Sequence, residues 1–431
     1  MNTGLVWFQN NLRSKDNLPL SQAFKEHEQV IAIYFFDPRQ FKVTEFGFRK
    51  TGKFRAKFLL ETIAELKENL AELNIPLFIY HDTPERKLPK FLQENNISSI
   101  YLQKEWTSEE QNLLENVKKE IPENIQFNSY YDQFLFHPED IPYPSYHEVP
   151  KVFTEFRKKC EAKVVIRNCT PAPEALKQKN FDLKNETKIP GLKELGFEDF
   201  TQDERTAFPF KGGEDQAQKR IQQYFWETKK LAEYKKTRNG LIGKSYSSKL
   251  SAWLANGSIS AKQVYWEVKN FEKEITKNED TYWLIFELIW RDYFKFISLK
   301  HGDKIFKIGG ILEKNLEWNI SKKALEQWIS GETKEPFVNA NMKEIAATGF
   351  MSNRGRQNVG SYWAKELKQD WRVGAAYFES LLIDYDVHSN WGNWMYNSGV
   401  GNDPRDRKFN IKRQAERYDP DQKFQELWLK D

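Results

Sequence analysis

Short runs of apolar, β-branched or aromatic residues recur through the first 130 residues, and that division constrains the fold more than any other feature. The runs are Gly4–Phe8, Val30–Phe36, Pro76–Tyr80, Ser99–Leu102 and Ile125–Tyr130. Helical patterns lie between them, clearest from Thr51 to Leu73. Strands alternating with helices predict a parallel sheet, because each parallel pairing needs a long crossover. From about Lys151 the strand signals fade. Pro171, Pro173, Pro190 and Pro209 then fall among polar residues between Thr170 and Gly213, the composition of a connector. After Gly212-Gly213-Glu214 the pattern is helical almost to the end. The expected class is α/β plus all-α: a Rossmann-like parallel α/β domain over 1–130, a connector over 131–213 and a helical domain over 214–431.

Several function classes drop out early. The first strand–helix turn reads FQNNLR, without G-x-G-x-x-G, so the sheet is not a standard dinucleotide site. Two cysteines, Cys160 and Cys169, exclude a disulfide scaffold and a cysteine-built zinc or iron–sulfur site. With 66 Lys+Arg against 62 Asp+Glu, a polyanion would have to meet a local patch. MNTGLVWFQNNLR lacks a signal-peptide pattern, and YWLIFELIW, broken by Glu287, is too short to span a bilayer. A soluble, cytoplasmic protein is the expectation. Aromatic residues make up 15% of the chain, with 14 Trp, an excess that suggests stacking or redox work beyond core packing.

Four windows in the second half carry candidate chemistry. DYDVHSNWGNWMYNSGVGNDP, Asp384 to Pro404, sets carboxylates and amides beside two Trp. Asn and Gly are poor helix formers, and Gly392 and Gly399 allow close backbone approach. Polar groups on ring edges with indoles over ring faces suit a flat heterocycle; the plain alternative is a surface loop. SYSSKLS, Ser245 to Ser251, places hydroxyls and Lys249 at a helix start, as a phosphate site or an ordinary Ser cap. ELIWRDYF puts Glu287 and Arg291 at the i,i+4 spacing of a salt bridge, with Trp290 on the same face. TGFMSNRGRQNV sets Arg354 and Arg356 beside Asn353 and Gln357, which suits phosphate clamping and base-edge contacts or merely a solvated helix start.

Together these windows resemble the photolyase/cryptochrome family, most closely its DASH branch, over nearly the whole chain. WFQNNLR at Trp7–Arg13 is similar to the family's opening strand–turn. GGEDQAQKRIQQYFW, LAEYKKTRNGLIGKSYSSKLSAWLANGSIS, TYWLIFELIWRDYF, NANMKEIAATGFMSNRGRQNVGSYWAKELKQDWR and the Asp384–Pro404 window follow as its signatures, in their usual order. The resemblance implies an antenna domain and a helical domain holding FAD in a U-shape. Tyr234, Ser247, Ser248, Lys249, Leu250 and Ser251 would hold its phosphates and ribose. Arg291 and Asp384 would neighbour each other and the isoalloxazine, and Asp386 would lie on its polar edge. Asn390 would face N5, where an amide does not titrate near neutrality. Trp394, Trp371 and Trp318 would carry electrons between flavin and surface, and Glu105 would contact a 5,10-methenyltetrahydrofolate antenna.

The implied activity is that of a deoxyribodipyrimidine photo-lyase: FAD-dependent, blue-light-driven repair of cyclobutane pyrimidine dimers. Glu287, Trp290, Asn353, Gln357 and Tyr396 would line the damaged-base pocket, with Arg354 and Arg356 on the DNA side. Duplex-repairing relatives carry Trp where this chain has Tyr396, and an apolar residue where it has Gln357. A smaller, more polar wall offsets less of the cost of unstacking a base, so the resemblance implies single-stranded DNA as substrate for a monomeric enzyme. No His pair lies near Asn353, against repair of the (6-4) photoproduct. A signalling photoreceptor and a DNA-binding regulator are the alternatives. The short stretch after FQELWLK and the Glu287/Trp290/Asn353 set favour the lyase.

Overall fold

The computed structural model describes residues 3–181 and 185–430. Its strands are β1 (Thr3–Trp7), β2 (Gln29–Phe35), β3 (Leu77–Tyr80), β4 (Ile97–Gln103) and β5 (Gln126–Tyr130). They form one parallel sheet in the order β3-β2-β1-β4-β5, each strand where an apolar run predicts it. The central β1 is buried along its whole length, because crossover helices cover both faces of the sheet. Val6, Val30 and Ala32 pack with Leu66 of the Lys53–Glu72 helix on one face, and Leu5, Ile31 and Ile33 with Leu88 of the Pro84–Glu94 helix on the other. Strand order reverses at β1, between β2 and β4. The crevice beyond the carboxyl ends of strands at such a switch is where open α/β sheets place ligands.

The region expected as a connector is only partly one. Residues 153–163 form a helix, Phe153–Lys163, whose Phe153 stacks on Trp290 and whose Phe156 packs on Tyr293, both in the long Glu279–His301 helix. By packing, that part belongs to the helical body. From 164 to 213 the described residues hold no helix or strand and run back over the α/β domain. There Asn180 exchanges two hydrogen bonds with the Val30 backbone, Asn185 donates to Leu77 O, and Thr187 Oγ1 accepts from Ile79 N–H. Polar side chains thereby satisfy backbone groups along the edge strand β3 and its neighbour, which would otherwise lack partners.

The helical body is organised around Glu279–His301, begun by a reciprocal cap between Asn278 and Thr281. Buried polar contacts lock it to the sheet domain. Arg13 Nη1 donates to Gly257 O at 3.1 Å, Asp16 accepts from Lys262 Nζ at 2.7 Å, and Glu214 accepts from the Ser14 and Lys15 amides. The Asn/Gly window is not a surface loop. Asp386 caps a largely buried helix, Val387–Ser398, and Gly399 closes it at a φ of +80°. No helix among the described residues is long and apolar enough to cross a membrane.

Candidate functional site

A cavity of about 530 Å³ opens between the Glu279–His301 helix, the 246–251 loop, the 350–357 segment and the Val387–Ser398 helix. Tyr234, Ser247, Ser248, Lys249, Leu250, Ser251, Glu287, Trp290, Arg291, Asn353, Arg354, Arg356, Gln357, Asp384, Asp386 and Tyr396 all line it. Residues from Tyr234 to Tyr396 thus converge, at a volume ordinary for a cofactor site. Asn390 and Trp394 lie at its inner end, in a recess of about 80 Å³ shared with Asn353, Arg356 and Asp384. Glu105 lines a different cavity, while Trp371 and Trp318 line neither.

The loop from 244 to 251 is held from behind by a residue that sequence reasoning missed. Arg220 donates to the Ser248, Lys244 and Ser247 carbonyls at 2.9, 3.0 and 3.0 Å. Burial lowers its pKa to about 10. Lys249 sits at a φ of +63°, a conformation a non-glycine residue keeps only when its surroundings enforce it. Its ammonium lies over the Tyr246 and Phe350 rings, is 3% exposed and has no hydrogen-bond partner. The helix after it, Ser251–Asn256, is only six residues long, so loop groups rather than a helix dipole must meet an anion. An orphaned buried ammonium beside three serines fits a phosphate-bearing cofactor. Glu344, on the buried face of the Pro336–Thr348 helix, is also enclosed here; burial pushes its pKa up to about 8 against the pull of Lys249 and Arg356.

Two ion pairs organise the walls. Asp384, which lines the same cavity as Arg291 without bonding it, pairs with Arg356, whose Nη2 lies 2.9 Å from both carboxylate oxygens while Nε donates to Met351 O. Arg356 is therefore committed to the cofactor wall rather than free to clamp DNA phosphates. Arg291 spends its guanidinium on the Gln133 and Leu254 carbonyls, at 2.6 and 3.1 Å. The i,i+4 bridge from Glu287 to Arg291 does not form either. Glu287 meets Arg238 at 2.9 Å, a second residue the sequence did not single out. Burial raises the Glu287 pKa and Arg238 opposes the shift. Asp384→Asn should leave Arg356 without its anion, at a cost of about 3 kcal/mol. Purified variant is expected to carry a reduced FAD-to-protein ratio by absorbance, and full occupancy would count against this pair as part of the wall.

Asp386 works on both sides of a partition. Its Oδ1 caps the helix at Ser389 N–H, 2.8 Å away, and its Oδ2 accepts from Lys295 Nζ at 3.0 Å. Burial opposes its ionisation, but Lys295, His388 and Arg291 outweigh that and hold it well below the usual carboxylate range. Asp386, Arg291 and Ala255 line the main cavity and also a second one of about 510 Å³. The second cavity is the crevice at the sheet's switch point, walled by Trp7, Phe8, Phe35 and Phe36 from the strand ends and by His388 and Trp391 opposite. Glu105 accepts there from Gln103 Nε2 at 2.7 Å, and burial raises its pKa against Lys295. Burial, with Glu105 and Glu109, pushes Glu110 up to about 8. A carboxyl raised on folding stabilises the fold fully below its unfolded pKa and loses that contribution as pH climbs through the folded one. Melting temperature should therefore fall between about pH 4.5 and about pH 8, and Glu110→Gln should flatten the slope. An unchanged slope would refute the assignment.

The residues expected to contact a damaged base all line the main cavity. Trp290 stacks on Phe153 with ring centroids 3.6 Å apart and meets Tyr396 edge-on at 6.0 Å. Tyr396 accepts from Arg407 at 3.1 Å. Gln357 accepts from Arg354 at 3.0 Å, and Arg354 lies over the Tyr418 ring. Asn353 is exposed at the start of its helix.

The three tryptophans form no continuous ring stack. Trp394, 3% exposed, packs on Phe378 and lies against Gly374, where a Cβ would come within 2.3 Å of the indole. Gly374 belongs to the Trp371–Leu381 helix, and Trp371 meets Trp391 edge-on at 5.8 Å. A second set, not foreseen, leads elsewhere: Trp328 lies 6.3 Å from Trp394 and 4.7 Å from Trp363. Gly392 is pressed against Phe294, the close approach its window suggested.

A parallel α/β domain docked on a helical body has one cavity whose lining fits a phosphate-bearing ring cofactor and another beyond the carboxyl ends of the sheet strands. Comparison with known proteins gives the family. The DNA photolyase model matches residues 4–177, and the FAD binding domain of DNA photolyase matches 283–431. A cryptochrome DASH from Gloeobacter violaceus is 46% identical, covering 99% of this chain and 85% of that relative. One from Synechocystis is 45% identical, covering 99% and 87%. The crystal structure of a Synechocystis cryptochrome superposes with a TM-score of 0.95 at 45% identity, over 100% of this chain and 89% of that one. The chain belongs to the photolyase/cryptochrome family and within it is most like cryptochrome DASH. Its helical domain binds FAD.

Proposed function

We propose that this chain repairs cyclobutane pyrimidine dimers under blue light, preferring single-stranded DNA. One observation carries the reading. The residues suited to a damaged base line the same cavity as those that suit FAD. Bound FAD, when reduced and excited, supplies the electron; the chain supplies position and electrostatics. The Phe153–Trp290 stack offers an apolar wall, held flat from behind. Glu287 presents a carboxyl whose neutral form burial favours, and Arg238 supplies a donor beside it when the carboxyl is ionised. In either state an N–H or O–H is available to stabilise negative charge developing on a pyrimidine bound in the cavity. Tyr396 and Gln357 make that wall small and polar, which offsets little of the cost of flipping a base from a duplex.

Incubating purified protein with a dimer-containing oligonucleotide tests this reading. Light-dependent repair is expected, greater on single strands than on duplex, with none in darkness. No repair on either under blue light would transfer the reading to a photoreceptor. Binding should also weaken with salt: from Ser352 to Arg417 eleven Lys and Arg stand against eight Asp and Glu, and each phosphate contact releases counterions. A salt-insensitive affinity would place the DNA surface elsewhere. For the second cavity we infer 5,10-methenyltetrahydrofolate, supported by the aromatic walls and by the Glu105 and Glu110 carboxyls facing a space wide enough for a pterin. Added folate should shift absorbance in wild type and less in Glu105→Ala.

A further inference from the structure

The outer end of the tryptophan series carries a surface chemistry of its own. Leu316, Trp318 and Ile320 fall close together on one segment, whose Asn319 forms a parallel bridge with Gln369. The segment lies along residues 367–370. Asn319 N–H donates to Lys368 O at 2.7 Å, its carbonyl accepts from Asp370 N–H at 3.3 Å, and Gln369 Oε1 accepts from Ser321 N–H at 2.9 Å. That register seats Trp318 beside the residues leading directly into Trp371. Leu316 is 40% exposed and Ile320 94%; Ile308, whose carbonyl accepts the Trp371 indole N–H, is 39% exposed. Scattered exposed aliphatics are ordinary, but Leu316 and Ile320 flank the half-buried Trp318 in the chain and Ile308 adjoins Trp371. Lysines frame them. Lys307, Lys323 and Lys368 are exposed and make no ion pair among the described residues, while Glu313 is taken up by Lys304 at 2.9 Å and Glu317 alone opposes them on the segment.

We propose that this rim docks a small acidic one-electron carrier protein, which delivers reducing electrons to Trp318. The proposal rests on the reading of Trp394, Trp371 and Trp318 as the electron route. A small soluble reductant needs only access to the ring and gains nothing from Ile320. A protein carrier gains apolar contact around its electron-exit edge, and carboxylates on it meet the lysines, which raises the encounter rate. The balance is simple. An electron moving inward leaves a hole on Trp318, the carrier loses one electron to fill it and is itself oxidised, and no bond forms or breaks at the indole. Two such transfers, with two protons from water, account for the two-electron reduction of the bound cofactor.

Two donors test the proposal under anaerobic blue light: a reduced acidic [2Fe–2S] ferredoxin and dithiothreitol. With ferredoxin, the photoreduction rate should saturate with donor concentration and fall with salt. Ile320→Asp and a combined Lys323→Glu, Lys368→Glu variant should each lower the ferredoxin rate about tenfold while holding the dithiothreitol rate within about twofold. In darkness, oxidised ferredoxin should bind wild type weakly and salt-sensitively by calorimetry, and binding should be lost in both variants. A rate linear in ferredoxin and unchanged in the variants overturns the proposal; so does dark binding without any effect on rate. Trp318→Phe separates this failure from failure of the route. Loss of photoreduction with both donors keeps the route and leaves the surface variants to decide, whereas unchanged photoreduction with both removes the route and the proposal with it.

Discussion

Trp394→Phe is expected to bring light-driven reduction of oxidised FAD close to zero while FAD stays bound. Trp394 lines the inner recess of the cofactor cavity together with Asn390 and Asp384, whereas Trp371 and Trp318 do not reach it. Any electron entering from the surface by that series passes through Trp394 last. The substitution removes part of a 3% exposed indole packed on Phe378 and Gly374, at a cost of about 1–2 kcal/mol, which a domain of this size tolerates. Stopped illumination with absorbance detection gives the rate, and the ratio of flavin to protein absorbance gives occupancy. Unchanged photoreduction would remove Trp394 from the route. The Trp328–Trp363 pair makes the next variant informative, because Trp328 also packs on Trp394. If Trp371→Phe photoreduces like wild type, electrons enter through that pair instead; if it fails as Trp394→Phe does, they enter through Trp371.

Glu287→Ala should lower the yield of dimer repair by about two orders of magnitude, the effect of removing one donor aimed at developing charge, worth ~3 kcal/mol. The loss should fall on yield rather than on binding. Removing the carboxyl leaves Arg238 without its anion beside Arg354, which adds positive charge to the cavity lining and favours DNA. Glu287→Gln keeps a donor and should retain part of the activity. FAD content and photoreduction should match wild type in both, since neither depends on this side chain. Repair quanta per absorbed photon on a single-stranded dimer oligonucleotide separate the outcomes. Wild-type yield in Glu287→Ala would end the catalytic role of Glu287, and reduced yield with equally reduced DNA affinity would reassign it to substrate binding.

Residue pattern alone was enough to specify the sheet and the helical second half, and the family resemblance picked out residues that line one cavity. Period-two and continuous apolar runs specify strands locally, and the crossover requirement then leaves a parallel sheet as the economical solution. Every expected strand forms, and sixteen candidate residues line one cavity. What the sequence could not determine was pairing. Glu287 and Arg291 are one helical turn apart, yet Glu287 meets Arg238, 49 positions away, and Asp384 meets Arg356. An i,i+4 spacing permits a bridge but is worth only about 0.2–0.5 kcal/mol, so tertiary carbonyls at Gln133 and Leu254 readily claim the guanidinium. The Asp384–Pro404 window shows the same limit: poor intrinsic formers became a helix because Asp386 caps it and its small residues allow Phe294 to press close. Arg220 and Glu344 had no sequence signal beyond a charge at an apolar position, and only burial gave them meaning. Local patterning fixes which backbone segments form because it acts through neighbours in the chain; which charge meets which, and in how dry a place, depends on groups from distant positions brought together only when the helices of the second half pack on one another.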